Sequence, residues 1–425
     1  MSRPVILIIG ADDIFQTVAK AGFTTTDKIE DVPVNRAIII DLRNVDIAEA
    51  QILLEELRNI KSQKHLQIYG WTEPNASLNQ YEIFKFDGLL NEETPLSYIK
   101  ARLESASRIA AMSREAMTRF NTLAQFGAQA KPSYNAHQIP PKILIYGAPG
   151  PDNMRITAIL DHLGILCVAA FSSFSAFEYL HNGGFDAVIV FAHDDKAGAI
   201  SFCSALRRNS RLFHIPCLLL VNSDFGNFED AILKGATDVD FIGVSEENSI
   251  IRLMTHIDEK RRRDALKMAF RLAKSDKAID RASGLYNFAF FKSHLNALIN
   301  EAINFKEQVC IIEITIHVAP QHNPNLEIPD DKRLSVINQI GSMIARLVRT
   351  EDTAARITLN RFAIILPFSD KITAFNAGQR ICAVLESSAF DIGVSDEAAM
   401  AEAKFEISEV TDKKNLETVM LKFAS

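Results

Sequence analysis

Two similar apolar patterns organise the first half of this 425-residue chain. Pro4–Asp13 (PVILIIGADD) and Pro141–Asp152 (PKILIYGAPGPD) are short apolar segments that end in glycine and acidic or turn residues. Each is followed by a helical pattern and then by a second apolar segment that enters an acidic loop, at Arg36–Asp46 and Phe185–Asp195. Continuous apolar segments that alternate with helical stretches indicate parallel strands buried on both faces of a sheet. The pattern therefore predicts two repeated, doubly wound α/β domains.

A long helical stretch follows each of these domains. The first, Pro95–Gln129, leads into the polar segment AKPSYNAHQIPP, and the second is Glu246–Asp280. The run Arg261–Arg263 in the second stretch is typical of a solvated helix face. We predict a first α/β domain with its C-terminal helix at 1–129, a linker at 130–140, a second α/β domain at 141–262, a connecting helix at 263–279 and a third domain at 280–425.

Strands and helices alternate in the third domain as well, around a hairpin. The predicted elements are strands at Val309–Ile316, Phe362–Leu366 and near Lys404–Ile407, and helices at Lys332–Val348, near Ala374–Leu385 and from Asn415. The hairpin requires some antiparallel pairing. The third domain is therefore predicted to be an α/β palm.

Composition and charge narrow the class of protein. A hydrophobic content of 48% and 27 phenylalanines provide enough core material for globular domains. The net charge of -7 argues against a nucleic-acid partner, and no run reaches the ~18–20 apolar residues of a membrane span. The five cysteines are scattered without Cys-x-x-Cys spacing, and the first residues lack the pattern of a signal peptide. We expect a cytoplasmic protein with reduced thiols.

Two motifs in the third domain carry a family resemblance. SGLYN at Ser283–Asn287 resembles the TGLxN opening of GGDEF domains, the diguanylate cyclase fold. RTEDTAARITLNRFAIILP at Arg349–Pro367 is similar to that family's RxxD…R-x-GGDEF-A-h-h-h-P segment without a gap. With two α/β domains ahead of it, the order resembles that of PleD/PopA-like response regulators. The resemblance implies two doubly wound receiver-like (flavodoxin-like) domains followed by a GGDEF-type α/β palm domain.

The resemblance also implies where a cyclase would hold GTP and Mg²⁺, and those positions are changed. Thr358 and Leu359 stand at the hairpin glycines, and Asn360 and Arg361 stand at the acidic pair, so that GGDEF reads TLNRF. Glycine permits close backbone approach to phosphates, and Mg²⁺ requires oxygen ligands. In the strand CIIEITIH, Glu313 is the nearby carboxylate, and VAPQHNPN replaces the guanine-reading FKxxND stretch. We expect no catalytic residues and no diguanylate cyclase activity.

The family's product-inhibition site, in contrast, has matching residues. Arg349 and Asp352 match its RxxD pair, and Arg380 falls on its second arginine. A guanidinium stacks on purines and pairs with phosphate or guanine edges, and a carboxylate accepts from a guanine N–H. The resemblance implies that these three residues bind cyclic di-GMP. The alternative is a surface ion pair that remains from an ancestral cyclase.

Phosphotransfer in a receiver domain needs an acceptor aspartate, an acidic pair for Mg²⁺, a lysine and a hydroxyl. In the first domain Asp41 matches the acceptor, and Asp12 and Asp13 are candidates for the acidic pair, about two residues late. The lysine position is Asn91 and the hydroxyl position is Gly70. Asp41 is therefore either a phosphoacceptor, with Mg²⁺ bound only at this domain, or an ordinary loop residue at a strand end.

The second domain lacks the phosphotransfer residues altogether. Its acceptor position is Phe191 and its lysine position is Ile242. It is predicted to be a pseudo-receiver that packs or dimerises, with Asp194 and Asp195 in a solvated loop. His193 is predicted to be a structural residue at a strand end.

These observations predict a catalytically inactive cyclic di-GMP receptor that acts as a signalling adaptor in two-component signal transduction. Its expected partners are cyclic di-GMP, one or more proteins and a second copy of the chain, bound through the receiver-like domains. The family analogy suggests bacterial cell-cycle regulation and a polar location. A ligand-free dimerisation scaffold and a residual diguanylate cyclase are the alternatives.

Overall fold

The computed structural model describes residues 5–28, 35–43, 47–59, 67–74, 86–128, 139–193, 195–243, 246–272, 275–304, 307–322, 327–394, 397–410 and 417–419. Most of the predicted linker, Asp194 and the predicted helix start at Asn415 lie outside these ranges. The chain divides into two units, Arg3–Ala110 with Ser133–Ala265 and Ala111–Pro132 with Leu266–Ser425. They are named the α/β unit and the palm unit. In the described ranges, no helix is both long and apolar enough to cross a membrane.

The α/β unit contains two parallel sheets, and the first has the strand order β2-β1-β3-β4-β5. The strands are β1 Val5–Ile9, β2 Thr24–Thr26, β3 Asn35–Asp41, β4 Gln67–Trp71 and β5 Gly88–Leu90, and the accompanying helices are α1 Asp12–Lys20, α2 Ile47–Asn59 and α3 Leu96–Gln125. Successive residues of β1 enter different cores, since Ile6 and Ile8 join one and Leu7 joins another. Burial on both faces explains the continuous apolar run in the sequence.

The second sheet has the order β10-β9-β8-β6-β7, again with every described pairing parallel. The strands are β6 Lys142–Tyr146, β7 Leu166–Ala170, β8 Ala187–Phe191, β9 Cys217–Val221 and β10 Asp238–Phe241, and the helices are α4 Pro151–His162, α5 Ser173–Asn182, α6 Lys196–Arg208, α7 Phe228–Leu233 and α8 Glu246–Leu272. Both sheets follow the 2-1-3-4-5 order of flavodoxin-like folds. The predicted doubly wound parallel sheets are confirmed.

The arginine run on α8 is not a solvated face, so that this prediction is wrong. Each of the three guanidinium groups pairs with a carboxylate in the α/β unit. The pairs are Arg261–Asp186 at 2.8 Å, Arg262–Asp87 at 2.7 Å and Arg263–Glu259 at 2.9 Å. Because Asp87 precedes β5 and Arg262 lies on α8, the second pair joins the two α/β domains.

The palm unit contains an antiparallel sheet of order β12-β13-β11-β15-β14. The strands are β11 Val309–Pro320, β12 Thr353–Arg356, β13 Arg361–Leu366, β14 Ala389–Val394 and β15 Glu397–Val410, and the helices are α9 Phe288–Asn304, α10 Asp330–Leu347 and α11 Lys371–Glu386. The pattern missed β12 and β14, because four and six residues with small or interrupted apolar positions give a weak period-2 signal. Every described pairing between these five strands is antiparallel, which is more antiparallel pairing than the sequence predicted.

The SGLYN motif forms the turn that begins the palm. The Asp280 carboxylate accepts from the backbone N–H of Ser283 at 2.9 Å, and the Asn287 side chain accepts from Phe290 N–H at 2.9 Å at the start of α9. Helix α10 crosses this turn so closely that a Cβ on Gly341 would lie 2.2 Å from the Ser283 carbonyl oxygen. The turn therefore sets the position of α10, and with it the position of the segment that follows α10.

Candidate functional site

The sequence-predicted ligand residues lie where α10 ends. Val348 has an extended backbone conformation (φ -81°, ψ 154°), which suits a β-branched residue and leads into a tight turn at Arg349–Asp352, named the RxxD turn. The backbone N–H of Asp352 donates to the Arg349 carbonyl at 3.1 Å. The backbone N–H of Arg349 donates in turn to the Asp352 carboxylate at 2.8 Å. The carboxylate thus stabilises the turn that presents the exposed Arg349 side chain.

Helix α11 brings the third predicted residue to the same place. The Arg380 guanidinium donates from Nη2 to the carbonyl of Leu347 at 2.9 Å. Leu347 is the last residue of α10, and its carbonyl has no partner within the helix, so that a cation is favoured there. The structure therefore gathers Arg349, Asp352 and Arg380 around one turn, although the last two are 28 positions apart in the sequence.

The buried Asp352 carboxyl is only 8% exposed. Burial raises its pKa to about 7, and the neighbouring Glu351 carboxylate acts in the same direction. The hydrogen bond from Arg349 N–H and the charges of Arg349 and Arg119 oppose this rise in pKa but do not cancel it. Asp352 therefore changes its charge near neutral pH.

Sequence reasoning missed one residue that contacts the RxxD turn. Arg119, in the part of α3 that belongs to the palm unit, donates from Nη2 to the carbonyls of Glu351 at 2.9 Å and Asp352 at 3.1 Å. It also donates to Thr353 Oγ1 at 2.8 Å. The sequence offers one signal, a Glu115–Arg119 pair at i,i+4 spacing, but nothing in the sequence says what lies against it.

The hairpin between β12 and β13 differs from a glycine hairpin in its backbone. It is closed by the N–H groups of Ile357 and Thr358, which donate to the Arg361 carbonyl at 2.9 and 3.2 Å. Thr358, Leu359 and Asn360 are exposed at its tip, and none of them has a positive φ. A glycine-dependent cradle for phosphates is therefore not formed by this backbone.

An arginine bonds Glu313, the carboxylate that lies near the metal position implied by the family resemblance. Arg361 donates from Nε to Glu313 Oε1 at 2.6 Å, and its Nη2 lies 2.5 Å from the same oxygen. Both side chains are largely buried, at 22% and 16% exposure. A cation is therefore already in contact with Glu313, and the residues at this position do not fit Mg²⁺.

A cavity of about 490 Å³ lies beside the hairpin, between β11 and α10. Most of its lining is apolar, with one guanidinium and one carboxylate, from Arg333 and Glu327. The hairpin contributes Leu359 and Asn360 to its rim. Because the lining is mostly aliphatic, the cavity offers few hydrogen-bonding groups to a purine base or a triphosphate.

At the carboxyl end of the first sheet, Arg43 bonds the two predicted acidic groups. Its Nε and Nη2 donate to Asp41 at 2.9 and 2.8 Å, and its Nη1 donates to Asp13 at 2.7 Å. Hydrogen bonding to Arg43 lowers the pKa of Asp13. Burial alone would raise the pKa of Asp41, but hydrogen bonds and the charge of Arg43 outweigh burial and lower it.

These residues do not fit the Mg²⁺ site that the receiver resemblance implies. Mg²⁺ needs six oxygen ligands at about 2.0–2.1 Å, whereas Asp13 and Asp41 both bond one guanidinium. Among the residues that the structure describes, no three or more His, Cys, Asp or Glu side chains form a group able to hold a metal ion. Asp12 lies beside them with an exposed side chain. Arg43, two residues after Asp41, was overlooked in the sequence.

The other predicted receiver positions have structural contacts. Phe191 is buried at the end of β8. Asp195 is the N-cap of α6 and accepts from Gly198 N–H at 2.7 Å, so that it is more than a solvated loop residue. His193 Nε2 lies 2.5 Å from an Asp152 carboxylate oxygen. In the first domain, Asn91 accepts from Thr94 within a turn.

Comparison with known proteins identifies the type of the third domain. The model of the family described as "Diguanylate cyclase, GGDEF domain" matches residues 277–424. The response regulator PleD of Caulobacter vibrioides is 25% identical over 213 residues, which cover 49% of this chain and 46% of PleD. The chain thus spans about half the length of the curated relatives it matches.

Solved structures give weaker likenesses. The FimX GGDEF domain from Pseudomonas aeruginosa has 18% identity and a TM-score of 0.30, covering 34% of this chain and 87% of that one. The GGDEF domain of DgcB from Caulobacter crescentus, solved in complex with c-di-GMP, has 18% identity and a TM-score of 0.30, covering 36% and 85%. The assignment of the domain type therefore rests on the family match and not on these structures. The chain therefore carries a diguanylate cyclase-type GGDEF domain at residues 277–424.

Proposed function

We propose that this protein is a catalytically inactive receptor for cyclic di-GMP, which binds at the RxxD turn and makes the protein a signalling adaptor. The observation that carries the proposal is the gathering of Arg349, Asp352 and Arg380 around the end of α10. Two of these side chains are exposed. A surface with two guanidinium groups and one carboxylate suits a ligand that combines phosphates with guanine edges.

The contacts at the hairpin support the proposed loss of catalysis. Glu313 bonds Arg361, and the hairpin tip carries three side chains where a cyclase needs backbone close to phosphate. The contrast agrees with selection for binding of the product without its synthesis. A protein partner would then read the ligand-bound state, and the receiver-like domains would provide dimerisation and docking surfaces.

One observation favours the alternative, a ligand-free scaffold of two-component signalling. The Asp352 carboxylate is mostly buried and already accepts from Arg349 N–H. Such a carboxylate has a role in the turn without any ligand. Ligand binding separates the two functions.

Calorimetric titration of the full chain with cyclic di-GMP tests the proposal. Each charge-assisted contact contributes about 1.5–3 kcal/mol, so that Arg349→Ala should weaken binding by about tenfold to a hundredfold. Arg380→Ala should weaken it too, and the double variant should lose less than the sum because both contacts hold one ligand. Arg346→Ala is the matched control, since it removes an exposed arginine from the last turn of α10. If titration of the wild type with cyclic di-GMP produced no heat of binding, the ligand-free scaffold would be the remaining function.

Turnover tests the catalytic half of the proposal. Incubation of the protein with GTP and Mg²⁺ should yield no more cyclic di-GMP than a control without protein. Repeated turnover that Glu313→Gln abolishes would establish a residual diguanylate cyclase and overturn the proposal.

A further inference from the structure

The guanidinium of Arg119 lies at the centre of a buried network in the palm unit. Arg119 is 4% exposed and Glu115 is completely buried, with Arg119 Nε donating to Glu115 Oε1 at 2.8 Å. His294 Nε2 donates to the same oxygen at 2.9 Å. The guanidinium carbon also lies 4.5 Å from the centre of the Phe270 ring. A charge this deep is costly unless paired, and here the Glu115 carboxylate, on the preceding turn of α3, pairs with it.

The remaining donors of this guanidinium serve the RxxD turn. Nη2 lies 2.8–3.1 Å from the carbonyl oxygens of Glu351 and Asp352 and from the hydroxyl of Thr353, and Nη1 donates to the Thr350 carbonyl at 3.4 Å. Carbonyls in a turn have no partner in a helix or sheet ladder and need one from elsewhere when buried. Arg119 therefore bonds consecutive backbone groups of the segment that holds Asp352. Its planar fork presents several donors in a fixed geometry, which a lysine cannot reproduce.

The start of β12 is also held by the SGLYN motif. The backbone N–H of Tyr286 donates to the Ala354 carbonyl at 3.1 Å, and the Arg356 N–H donates to the Tyr286 carbonyl at 2.9 Å. The RxxD turn is thus bounded by α10 on one side and by this bridge on the other. Between these two supports, Arg119 is the described side chain that bonds the carbonyls of the turn.

We infer that Arg119 is a positioning residue for the cyclic di-GMP site, and that through it the end of α3 and ligand occupancy influence each other. The inference rests on the proposed function, since it assigns the regulation of that same site. In this segment Arg119 bonds the backbone of the turn and the hydroxyl of Thr353 directly after it, and so acts through the placement of Arg349 and Asp352. By reciprocity, a ligand that orders the turn also orders the helix segment bonded to it.

Arg114 provides a matched control on the same helix. It pairs with Glu307 at 2.9 Å and lies 4.2 Å from the centre of the Phe368 ring. Both arginines thus lie on α3, pair with a glutamate and face an aromatic ring, but the glutamate of Arg119 belongs to α3 itself. In contrast to Arg119, none of the described hydrogen bonds of Arg114 goes to the RxxD turn.

The experiment compares wild-type full chain with Arg119→Gln, Arg119→Lys and Arg114→Gln. Cyclic di-GMP affinity is measured by calorimetry on samples whose folded fraction is known from thermal unfolding. Arg119→Gln should bind about tenfold more weakly, Arg119→Lys should recover part of that loss, and Arg114→Gln should bind as the wild type does. Equal affinities of Arg119→Gln and Arg114→Gln, after correction for the folded fraction, would overturn the inference.

Amide hydrogen exchange tests the inference even if cyclic di-GMP does not bind. Without ligand, Arg119→Gln should speed exchange at 350–353 relative to the wild type and to Arg114→Gln. With ligand, exchange at 111–125 should slow in the wild type and not in Arg119→Gln. Absence of any ligand effect in the wild type, together with faster exchange in Arg119→Gln, would refute the proposed function but retain the positioning role. Unchanged exchange in Arg119→Gln would refute the positioning role itself.

Discussion

At the scale of single residues, an arginine bonds carboxylates in each of two domains. Arg43 bonds Asp13 and Asp41 in the first α/β domain, and Arg361 bonds Glu313 in the GGDEF domain. A guanidinium supplies a positive charge with directional donors and needs no ion from solution. Both domains therefore neutralise their carboxylates from within the chain.

Replacement of Arg43 by glutamine should show how much the fold depends on this neutralisation. Asp13 and Asp41 would lose their shared cation, and the free energy of unfolding at pH 7 should fall by about 1.5–3 kcal/mol. Both carboxyl pKa values are lowered in the folded state, so that this stabilisation is present above the ordinary aspartate pKa and is lost as the pH falls through the lowered values. Urea unfolding at pH 7 and pH 3 measures the free energy of unfolding of both proteins. The difference between the wild type and Arg43→Gln should be smaller at pH 3.

Magnesium provides the second readout for Arg43. Millimolar Mg²⁺ should leave the wild-type unfolding midpoint unchanged and should raise that of Arg43→Gln, in which the carboxylates are accessible to a cation. Arg43→Lys, which keeps the charge, should respond as the wild type does. An equal response to Mg²⁺ in the wild type and Arg43→Gln would contradict this account.

Asp352 should give the ligand site a pH dependence. Its pKa of about 7 means that the ionised fraction rises from about 10% at pH 6 to about 90% at pH 8. Since the carboxylate accepts from a guanine N–H in the proposed complex, affinity for cyclic di-GMP should rise over this range by up to about tenfold. Calorimetry at three pH values measures the slope, and Asp352→Asn should remove it.

Asp352 should affect the stability of the fold in the opposite direction, so that stability falls as the pH rises. Because folding raises this pKa, the neutral carboxyl is the favoured form, and its contribution is lost as the pH rises through about 7. The difference in unfolding free energy between Asp352→Asn and the wild type should therefore grow from pH 5 to pH 8. A binding slope that persists in Asp352→Asn would assign the titration to another group.

At the scale of elements, the crossing of α10 over the SGLYN turn positions the RxxD turn. Gly341→Ala adds a Cβ that would lie 2.2 Å from a backbone oxygen of Ser283, so that the helix must shift. Overpacking of this kind costs about 1–3 kcal/mol, against a gain in helix propensity of up to about 1 kcal/mol. The thermal midpoint should fall, and cyclic di-GMP affinity should fall with it because the RxxD turn follows directly after the end of α10.

Gly378→Ala is the matched comparison for that prediction. It lies inside α11, and its added Cβ would meet the ring of Phe405 at 2.6 Å. A side chain can rotate away more easily than backbone can move. Gly378→Ala should therefore destabilise the protein less than Gly341→Ala, and the reverse order would contradict the proposed role of the crossing.

At the scale of the whole molecule, we predict a homodimer formed through the α/β domains. Several large apolar side chains of the second α/β domain are exposed in a short stretch, among them Leu166 at 60%, Phe171 at 61% and Phe174 at 80%. Exposed apolar groups in this number favour association. Light scattering at micromolar concentration should give about twice the chain mass of 47.3 kDa.

Two substitutions test whether the exposed apolar residues around Phe174 form the dimer interface. Phe174→Asp should shift the mass toward the monomer. Leu233→Asp, at a leucine on α7 that is 72% exposed, should leave the mass unchanged. A wild-type mass that remains at one chain up to high concentration would exclude the dimer.

The sequence alone determined the type of each domain, because that information is local. Continuous apolar runs bounded by turn residues require strands buried on both faces, and they predicted the parallel sheets around Ile8 and Ile145 before any contact was known. The motifs SGLYN and RTEDTAARITLNRF likewise identified the GGDEF domain, since covalent order places the residues of each motif together. The predicted ligand residues Arg349 and Asp352 belong to one turn for the same reason.

Only the tertiary structure decided what each charged side chain contacts. Arg119 and the RxxD turn are more than 200 residues apart in the sequence, and no periodicity encodes which helix face meets which turn. The pairs Arg43–Asp13 and Arg262–Asp87 also depend on how strands and helices pack. A long, flexible cationic side chain has many carboxylates and carbonyls within its reach, and the choice among them is made by burial and geometry, which exist only in the folded chain.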